Sequence, residues 1–419
     1  MTYAKYASKM FKTIHLSVFG YCVLIYALAL SATAAGFVKE TGMGHIGVAY
    51  PQSAMAATFN PACVVEVGDR IDLAFGTVIV NGHVTISDSQ VPTFNQKAST
   101  SQCKYLPANV FGNTKRITPN LSVGFNGDIG ITSSVGTISH TLEPFGEGPL
   151  SFSNLIAIPQ FTLAYKLNSQ HSFGITVPIN LSRVKVNGLQ NLAAFSLYPD
   201  SVSNKGYSWA YGVALKFGWL YHITHDFNFG ISYTTGLLAS SRHHKYKGIL
   251  PSKGKFQNAA ELATGFAYNY GRGTVGLQMH YYFFSPFNTL HNSSNSTAPL
   301  GSKKGPGPGF KDMIFWEFGA DYNVTCNLTA RAGYVYINPK FVRRDNVNLD
   351  FIQPVLLSIA NLFTGGASYK FKTFELSFCY LLSPPRKVKG PPSPSLAGGH
   401  IKASTGAIHT ILFNVGKEF

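Results

Sequence analysis

The most informative feature of this chain is an alternation of apolar and polar residues with a period of two, which recurs in pairs of runs. One pair covers 161–167 and 173–181, and the polar segment 168–171 joins the two runs. Side chains two residues apart share one face of a strand, so each pair predicts a hairpin with one apolar face. Further pairs cover 211–223 with 227–233, 266–270 with 275–283, 316–322 with 328–336, and 369–371 with 374–380.

The segments inside these hairpins are short, whereas the segments between them are long and polar. Residues 291–309 are rich in Ser, Asn, Gly and Pro, and residues 383–404 are basic and Pro-rich, so we expect both to be external loops. Runs of roughly 9–12 residues suit a tilted membrane strand better than the strand of a soluble β-sandwich or solenoid, which is the alternative. The pattern therefore predicts an all-β, transmembrane antiparallel β-barrel with tight periplasmic turns. Residues 355–363 are nearly all apolar and fit either a wall segment or a small buried helix.

Composition supports a membrane barrel over a soluble enzyme. Of the 419 residues, 12% are charged, 45% hydrophobic and 14% aromatic, whereas soluble domains carry about 25% charged residues. Only one apolar run approaches the length of a membrane-spanning helix, which argues against a polytopic helical protein. The chain has a net charge of +16. Its basic residues are scattered and form no recognition motif, so we expect no nucleic-acid partner. We expect the positive charge to lie on loops that face anionic lipid or lipopolysaccharide, or to serve anionic substrates.

The N-terminal residues 1–35 have the organisation of a secretory signal peptide. Lys5, Lys9 and Lys12 form a basic region, residues 14–30 are apolar, and 32–34 (ATA) form a small-residue cleavage site. A single transmembrane anchor is the alternative. The favoured interpretation places the mature protein in the bacterial outer membrane.

The cysteines and the common catalytic motifs give no sign of an enzyme or a cofactor. Cys63, Cys103, Cys326 and Cys379 show no CxxC spacing, which argues against a metal site. Cys63 and Cys103 could pair in an exported protein, whereas Cys379 lies within a strand pattern and is expected to pack as a small apolar residue. The sequence has no P-loop, GxSxG or HExxH motif.

Residues 36–67 do not alternate and contain many small residues. Alternation begins only at Ile71, so this segment is not expected to be part of the wall. Small residues allow close backbone packing, and a polar lumen can satisfy the backbone of a segment held inside it. We therefore expect three regions: a signal peptide (1–35), an N-terminal hatch that plugs the lumen (36–67) and the barrel (68–419).

The hatch sequence carries a specific resemblance. It begins Gly36-Phe37, continues through Ala49-Tyr50, and ends in Asn60-Pro61-Ala62. This order resembles the outer-membrane long-chain fatty acid transporter (FadL) family, which includes aromatic-hydrocarbon uptake channels. The resemblance covers about 36–419 and is strong in the hatch and diffuse in the loops. Cys63 departs from it, because Gly is common at that position.

The resemblance implies a barrel of about 14 strands that takes up long-chain fatty acids or similar hydrophobic compounds passively. Substrate would bind in the lumen and leave through the wall, and the protein would be a monomer. General diffusion porins and surface adhesins or receptors are the alternatives. The terminal Phe419 resembles the signal that the barrel assembly machinery recognises, although Lys417 departs from that pattern.

The resemblance also implies site residues. The trio Asn60, Pro61 and Ala62 would pin the hatch to the wall and gate the channel. Four apolar residues would either line the ligand pocket or only pack the plug: Phe37, Val38, Ile46 and Phe59.

Two basic residues, Arg183 and Lys185, resemble a pair in the family that would bind a fatty acid carboxylate. The alternative to a carboxylate site is that the two residues form a solvated strand end or an anchor at the membrane interface. The basic segment 242–247 (RHHKYK) is expected to be a solvated loop near lipopolysaccharide phosphates.

Overall fold

The computed structural model describes residues 37–79, 82–95, 97–99, 105–128, 136–138, 146–148, 150–293, 296–307, 309–338, 361–389, 392 and 398–419. The expected signal peptide (1–35), Gly36, Cys103 and residues 355–360 lie outside these ranges. Within them, no helix is both long and apolar enough to cross a membrane.

The described chain is dominated by antiparallel strands. In chain order they are β1 (Arg70–Ile79), β2 (Gly82–Ser87), β3 (Lys97–Ser99), β4 (Tyr105–Thr118), β5 (Leu121–Asp128), β6 (Gly136–Ile138), β7 (Leu150–Lys166), β8 (His171–Asn187), β9 (Ser208–Val213), β10 (Lys216–His222), β11 (Phe227–Thr234), β12 (Ala239–Ser240), β13 (Ala260–Asn269), β14 (Thr274–Phe283), β15 (Met313–Asn323), β16 (Leu328–Ile337), β17 (Asn361–Lys370), β18 (Glu375–Ser383), β19 (Arg386–Lys389), β20 (His400–Thr405) and β21 (Ile408–Glu418).

Most of these strands form one closed barrel of 14 strands. The barrel closes because the first strand pairs with the last, from Arg70 opposite Glu418 to Ile79 opposite His409. Two wall strands consist of two pieces each, β9 with β10 and β11 with β12, and β5 and β6 belong to one further wall strand. The predicted fold class is confirmed.

The outward faces of the strands are apolar, as the alternation predicts. Leu73 and Phe75 on β1, and Phe161 and Leu163 on β7, are all about half exposed. The residues between them, Ala74 and Thr162, are buried and point inward. The exposed apolar band is the surface that a membrane would cover.

The segment that the sequence predicts as one strand, 211–223, is split at Ala214-Leu215. Pro178 on the neighbouring strand β8 causes the interruption, because proline has no N–H to donate to the ladder. Ala214 N still donates to the Pro178 carbonyl, at 3.1 Å. The pairing of β8 resumes in the same register on both sides of this point.

A second, four-stranded sheet lies beyond the wall, in the order β19-β20-β2-β3. It continues the pairing of β1 with β21, because β2 follows β1 and β20 precedes β21 in the chain. The sequence predicted an external loop for 383–404, and β19 and β20 lie within this segment.

Helical elements are short and occur in the hatch and the loops. The α-helices are α1 (Val38–Gly42), α2 (Val64–Val67), α3 (Pro251–Gly254) and α4 (Asn288–His291). The 3-10 helices are Ala56–Thr58, Pro61–Cys63, Pro92–Phe94, Gln190–Phe195, Pro199–Ser201 and His244–Tyr246.

Candidate functional site: the hatch inside the barrel

The segment 37–67 lies inside the barrel, in the half where the turns between strands are short. Every residue from 37 to 49 is buried. Helix α1 packs against β17 and β18, and the 3-10 helix Pro61–Cys63 packs against β7, β8 and β10. The hatch therefore touches both sides of the wall and fills the lumen between them.

Asn60 makes three hydrogen bonds, two within the hatch and one to the wall. Its Nδ2 donates to the carbonyl of Val48 in the hatch (2.8 Å) and to that of Trp219 on β10 (3.0 Å). Its Oδ1 accepts from Ala62 N (3.0 Å) and so caps the 3-10 helix that begins at Pro61. The side chain is fully buried, which makes loss of any of these bonds costly because buried polar groups need partners.

Glycines of the wall let the hatch backbone come close. At each of these positions, an added Cβ would press against a hatch atom. We call this set the glycine belt: Gly112, Gly174, Gly218, Gly230, Gly276, Gly319, Gly333 and Gly366. Several members are direct cross-strand neighbours, such as Gly174 with Gly218 and Gly319 with Gly333. A larger residue in the belt would push the hatch away from the wall.

Polar wall residues on β13, β14 and β15 hold the middle of the hatch. Gln278 Oε1 accepts from the backbone N–H of Gly47 (2.9 Å) and of Val48 (3.1 Å), and its Nε2 donates to the His45 carbonyl (2.8 Å). Gln278 also hydrogen-bonds to Glu317. One wall side chain thus satisfies three backbone groups of the hatch that are buried in the lumen.

His280 continues this polar cluster along the wall. Its Nδ1 lies 2.5 Å from Glu261 Oε1, and its Nε2 lies 3.4 Å from Glu317 Oε2. Lys216 Nζ lies 4.0 Å from Glu261 Oε2 and donates to the Thr58 carbonyl of the hatch. The side chains of His280, Glu317 and Lys216 are buried in the lumen, and that of Glu261 is partly buried.

A second buried cluster holds the start of the hatch. Lys39 Nζ lies 2.6 Å from Glu375 Oε1 on β18. Arg70 binds Asp72 through two nitrogens, at 2.6 and 2.9 Å, and also contacts Glu375 at 3.3 Å. Asp72 Oδ2 accepts from Ala54 N of the hatch at 2.8 Å. Breaking one member of such a buried network is destabilising, because it leaves an uncompensated charge.

The sequence missed both polar clusters, although it carried a signal for them. Arg70, Asp72, Gln278 and Glu317 occupy alternate positions of strands whose other face is apolar. Charged and amide side chains on the inner face of a wall strand indicate a partner in the lumen. Which hatch atom each one meets depends on contacts between distant parts of the chain and could not be read from spacing.

The four apolar candidates of the hatch are all buried. Phe37, Val38 and Phe59 share one apolar cluster with wall residues of β1, β4, β13, β18 and β21. The rings of Phe37 and Phe59 meet edge to face at 5.2 Å. Ile46 fills the space beside Gly276. In this closed arrangement all four residues pack the plug.

Arg183 and Lys185 lie on the outer face of β8. The side chains before and after Arg183, those of Ser182 and Val184, are fully buried on the inner face. Arg183 Cζ lies 4.3 Å from the ring centroid of Tyr207, and Lys185 Nζ lies 5.4 Å from the same centroid. This position does not bring the pair to the lumen, and of the two interpretations open from the sequence it favours the interfacial anchor.

The basic segment 242–247 is less solvated than expected. His243 and Tyr246 are essentially fully buried at the mouth formed by the long loops. His243 Nδ1 lies 3.2 Å from the Ser208 carbonyl, and its Nε2 lies 3.3 Å from Ser182 Oγ. A carbonyl can only accept, so Nδ1 carries the proton and Nε2 accepts from the hydroxyl. The expectation of a fully solvated loop is wrong for these two side chains, because they pack between β8 and the neighbouring loops.

The described cysteines are free thiols. Cys63 and Cys379 are buried, and Cys326 is exposed. Cys63 packs beneath the hatch carbonyls of Gly47 and Val48. Among the described residues, no group of three or more His, Cys, Asp or Glu side chains is arranged to hold a metal ion.

Comparison with known proteins gives consistent results for the fold. A family model described as outer membrane protein transport protein (OMPP1/FadL/TodX) matches residues 25–373. No curated protein sequence matches the chain. Among solved structures, the toluene transporter TodX of P. putida has a TM-score of 0.67 at 14% identity, with 92% of this chain and 99% of that chain covered.

Two further solved structures are similar. The toluene transporter TbuX of Ralstonia pickettii has a TM-score of 0.63 at 16% identity, with 92% of this chain and 99% of that chain covered. A FadL homologue of Pseudomonas aeruginosa has a TM-score of 0.62 at 15% identity, with 92% and 100% covered. At these identities the likeness concerns the fold.

Proposed function

Because the chain belongs to the OMPP1/FadL/TodX family of outer-membrane transport proteins, we propose that it is a channel for passive uptake of hydrophobic compounds. Long-chain fatty acids are one candidate cargo. Monoaromatic hydrocarbons are the other, since two of the similar structures are described as toluene transporters. The proposed protein works as a monomer and reaches the membrane through the barrel assembly machinery.

The position of the hatch inside the lumen is the observation that supports this proposal most strongly. A general diffusion porin needs an open, water-filled lumen, whereas here residues 37–49 are buried inside the barrel. A hydrophobic molecule gains about 0.8 kcal/mol for each CH₂ group that leaves water for an apolar pocket. Binding followed by hatch movement would let it pass downhill, with no need for a nucleotide.

Lateral release is part of the proposal. The hatch fills the lumen between opposite sides of the wall and blocks the path along the barrel axis. An apolar ligand also gains free energy by entering lipid rather than water. Both points favour an exit through the wall.

For gating, we propose that Asn60, Pro61 and Ala62 are the hinge point of the hatch. Asn60 bonds both the hatch and the wall, so a shift of this residue would uncouple the two. Phe37, Val38, Ile46 and Phe59 would become ligand contacts only as the hatch moves, because they are sealed in the closed arrangement.

Hatch function is tested by deleting residues 37–60. The deletion should leave a folded, heat-modifiable barrel and raise its small-ion conductance in planar bilayers. Failure to assemble, or a conductance equal to that of the full chain, would show that the segment is not a removable plug.

Lateral release is tested by the order in which labelled oleate meets two quenchers in proteoliposomes. If oleate leaves through the wall, a quencher held in the bilayer should act on it before a quencher dissolved in the vesicle lumen. The opposite order would reject the lateral route while leaving uptake itself intact.

A further inference from the structure

Arg183 and Lys185 are two cationic side chains on the outer face of the wall. Along β8 the residues alternate between faces, and Arg183 and Lys185 fall on the side of Phe173, which is 45% exposed. Ser182 and Val184 fall on the opposite, buried side. Both cations therefore face the environment of the barrel.

Aromatic rings on the neighbouring strand hold the two cations in place. Arg183 Cζ lies 4.3 Å from the ring centroid of Tyr207 and 5.6 Å from that of Trp209, its cross-strand partner. Lys185 Nζ lies 5.4 Å from the Tyr207 centroid. Both rings are about half exposed on the same face. These contacts orient the charges but occupy none of their N–H donors.

Among the described residues, no carboxylate forms an ion pair with either cation, and Arg183 Nε is shielded from solvent with no hydrogen-bond acceptor. The residues opposite them on β7 are Leu155 and Ser153, which carry no charge. A guanidinium held in this way is prepared to accept an external anion.

The height of the pair along the wall indicates which anion it meets. Phe173 belongs to an aromatic group with Trp219 near the short turns, and Arg183 lies further along the same strand. With a tilt of about 40° and a rise of about 3.3 Å per residue, the separation along the membrane normal is roughly 25 Å. This equals the height of the apolar band of outer-membrane barrels. Arg183 thus lies at the opposite edge of the band, next to the long loops, which face outward in such barrels.

We propose that Arg183 and Lys185, framed by Tyr207 and Trp209, bind the phosphate group of a lipid A headgroup in the outer leaflet. The planar guanidinium suits bidentate contact with phosphate, and the lysine adds a second charge two residues away. Acyl chains of the same lipid would lie against Leu181 and its cross-strand partner Tyr211, below the cations on the outer face. This site concerns the lipid-facing wall and does not depend on what the channel transports.

The test measures lipid binding to the purified barrel by native mass spectrometry. Three probes are compared: diphosphorylated lipid A, the same lipid after enzymatic removal of its phosphates, and inorganic phosphate. We expect the phosphorylated lipid to bind at least about tenfold more tightly than the dephosphorylated lipid, as for charge-assisted hydrogen bonds. Inorganic phosphate should not compete at millimolar concentration, because it lacks the acyl chains.

The double variant Arg183→Gln, Lys185→Gln should bind phosphorylated lipid A only as well as the dephosphorylated form. The variant Arg183→Lys keeps the charge but loses the planar fork, and should fall between wild type and the double variant. Lys417→Gln is the matched control, since Lys417 also faces outward and lies 4.8 Å from an aromatic ring, that of Phe419, but at the other rim. It should bind as wild type does.

Several results would overturn the proposal. These are equal binding of the two lipids, an unchanged affinity in the double variant, a loss of similar size in Lys417→Gln, or full competition by inorganic phosphate. Heat-modifiable migration of each variant shows that its barrel is intact. If the double variant does not assemble, the comparison of wild type with Arg183→Lys decides in its place.

Discussion

Replacing Gly218 with alanine should unseat the hatch without breaking the wall. A Cβ at this position would lie 2.7 Å from Pro61 Cδ and 3.0 Å from Pro61 N, and it would overlap Asn60 Oδ1. Gly218 is held on both sides by ladder pairing, to β8 and to β11, so the wall is the stiffer partner. The hatch should therefore move.

The expected size of this effect follows from the contacts that would be lost. Overpacking costs about 1–3 kcal/mol, and weakening the hydrogen bonds of Asn60 adds about 1 kcal/mol. Together they give about 2–4 kcal/mol against the seated hatch, which corresponds to a roughly 30- to 1,000-fold rise in the ratio of open to closed channels. Conductance events in planar bilayers, counted per assembled barrel, measure this ratio.

Gly124→Ala is the matched control for this substitution. Gly124 is another wall glycine that faces the hatch, but the nearest atoms to its Cβ, on Val64 and Thr162, lie at 3.5 Å, an ordinary contact distance. It should conduct as wild type does. A silent Gly218→Ala barrel, or equal opening in both variants, would refute the idea that the glycine belt holds the hatch by close approach.

Three further predictions concern other parts of the chain. Gln278→Leu, which removes three hydrogen bonds to the hatch backbone, should increase conductance events, whereas Gln170→Leu in an exposed turn should not. Phe419→Ala should slow assembly into the outer membrane while sparing export; normal yield would count against a terminal assembly signal. Burial lowers the pKa of His243, in the loop 241–259, to about 4, and its neutral form therefore contributes about 3 kcal/mol that is fully present above pH 6.5 and is lost as pH falls toward 4. Protease protection of that loop should fall over this window in wild type and not in His243→Phe; a pH-independent wild type would contradict the assignment.

The wall could be predicted from the sequence because lipid imposes a simple rule on it. Outward residues such as Phe161 and Leu163 must be apolar, and inward ones need not be, so period two appears directly in the chain. The hatch was predictable for the complementary reason, since its small residues do not alternate. Those small residues also favoured a place inside the lumen, and the family resemblance agreed with it.

The contacts between hatch and wall could not be predicted in the same way. Gly44 N, for instance, donates to Thr364 Oγ1 across 320 positions of the sequence. In the sequence, Gly218 cannot be distinguished from any other strand glycine. Only the structure shows that Asn60 and Pro61 lie against it. The closure of a barrel determines such contacts, and neither spacing nor composition reports it.

The facing of Arg183 and Lys185 was available in the sequence. They continue the odd-numbered series that includes Phe173 and Ile175, the apolar and therefore lipid-facing residues of the same strand. Family resemblance suggested the lumen, whereas period two indicated the outer face. By contrast, His243 could not be placed from sequence, because a basic segment that packs inside a loop cluster has the composition of a solvated one.

The measurement that tests the central claim most directly is uptake by cells that lack other channels of this type. Cells that express the protein are given labelled oleate, toluene and sucrose, and the rate of entry of each is compared with that in cells carrying the empty vector. We predict faster, saturable entry of at least one of the two hydrophobic compounds and no change for sucrose, because the hatch closes the lumen to water-soluble solutes. Faster entry of sucrose without either hydrophobic compound would identify an open porin and contradict the account.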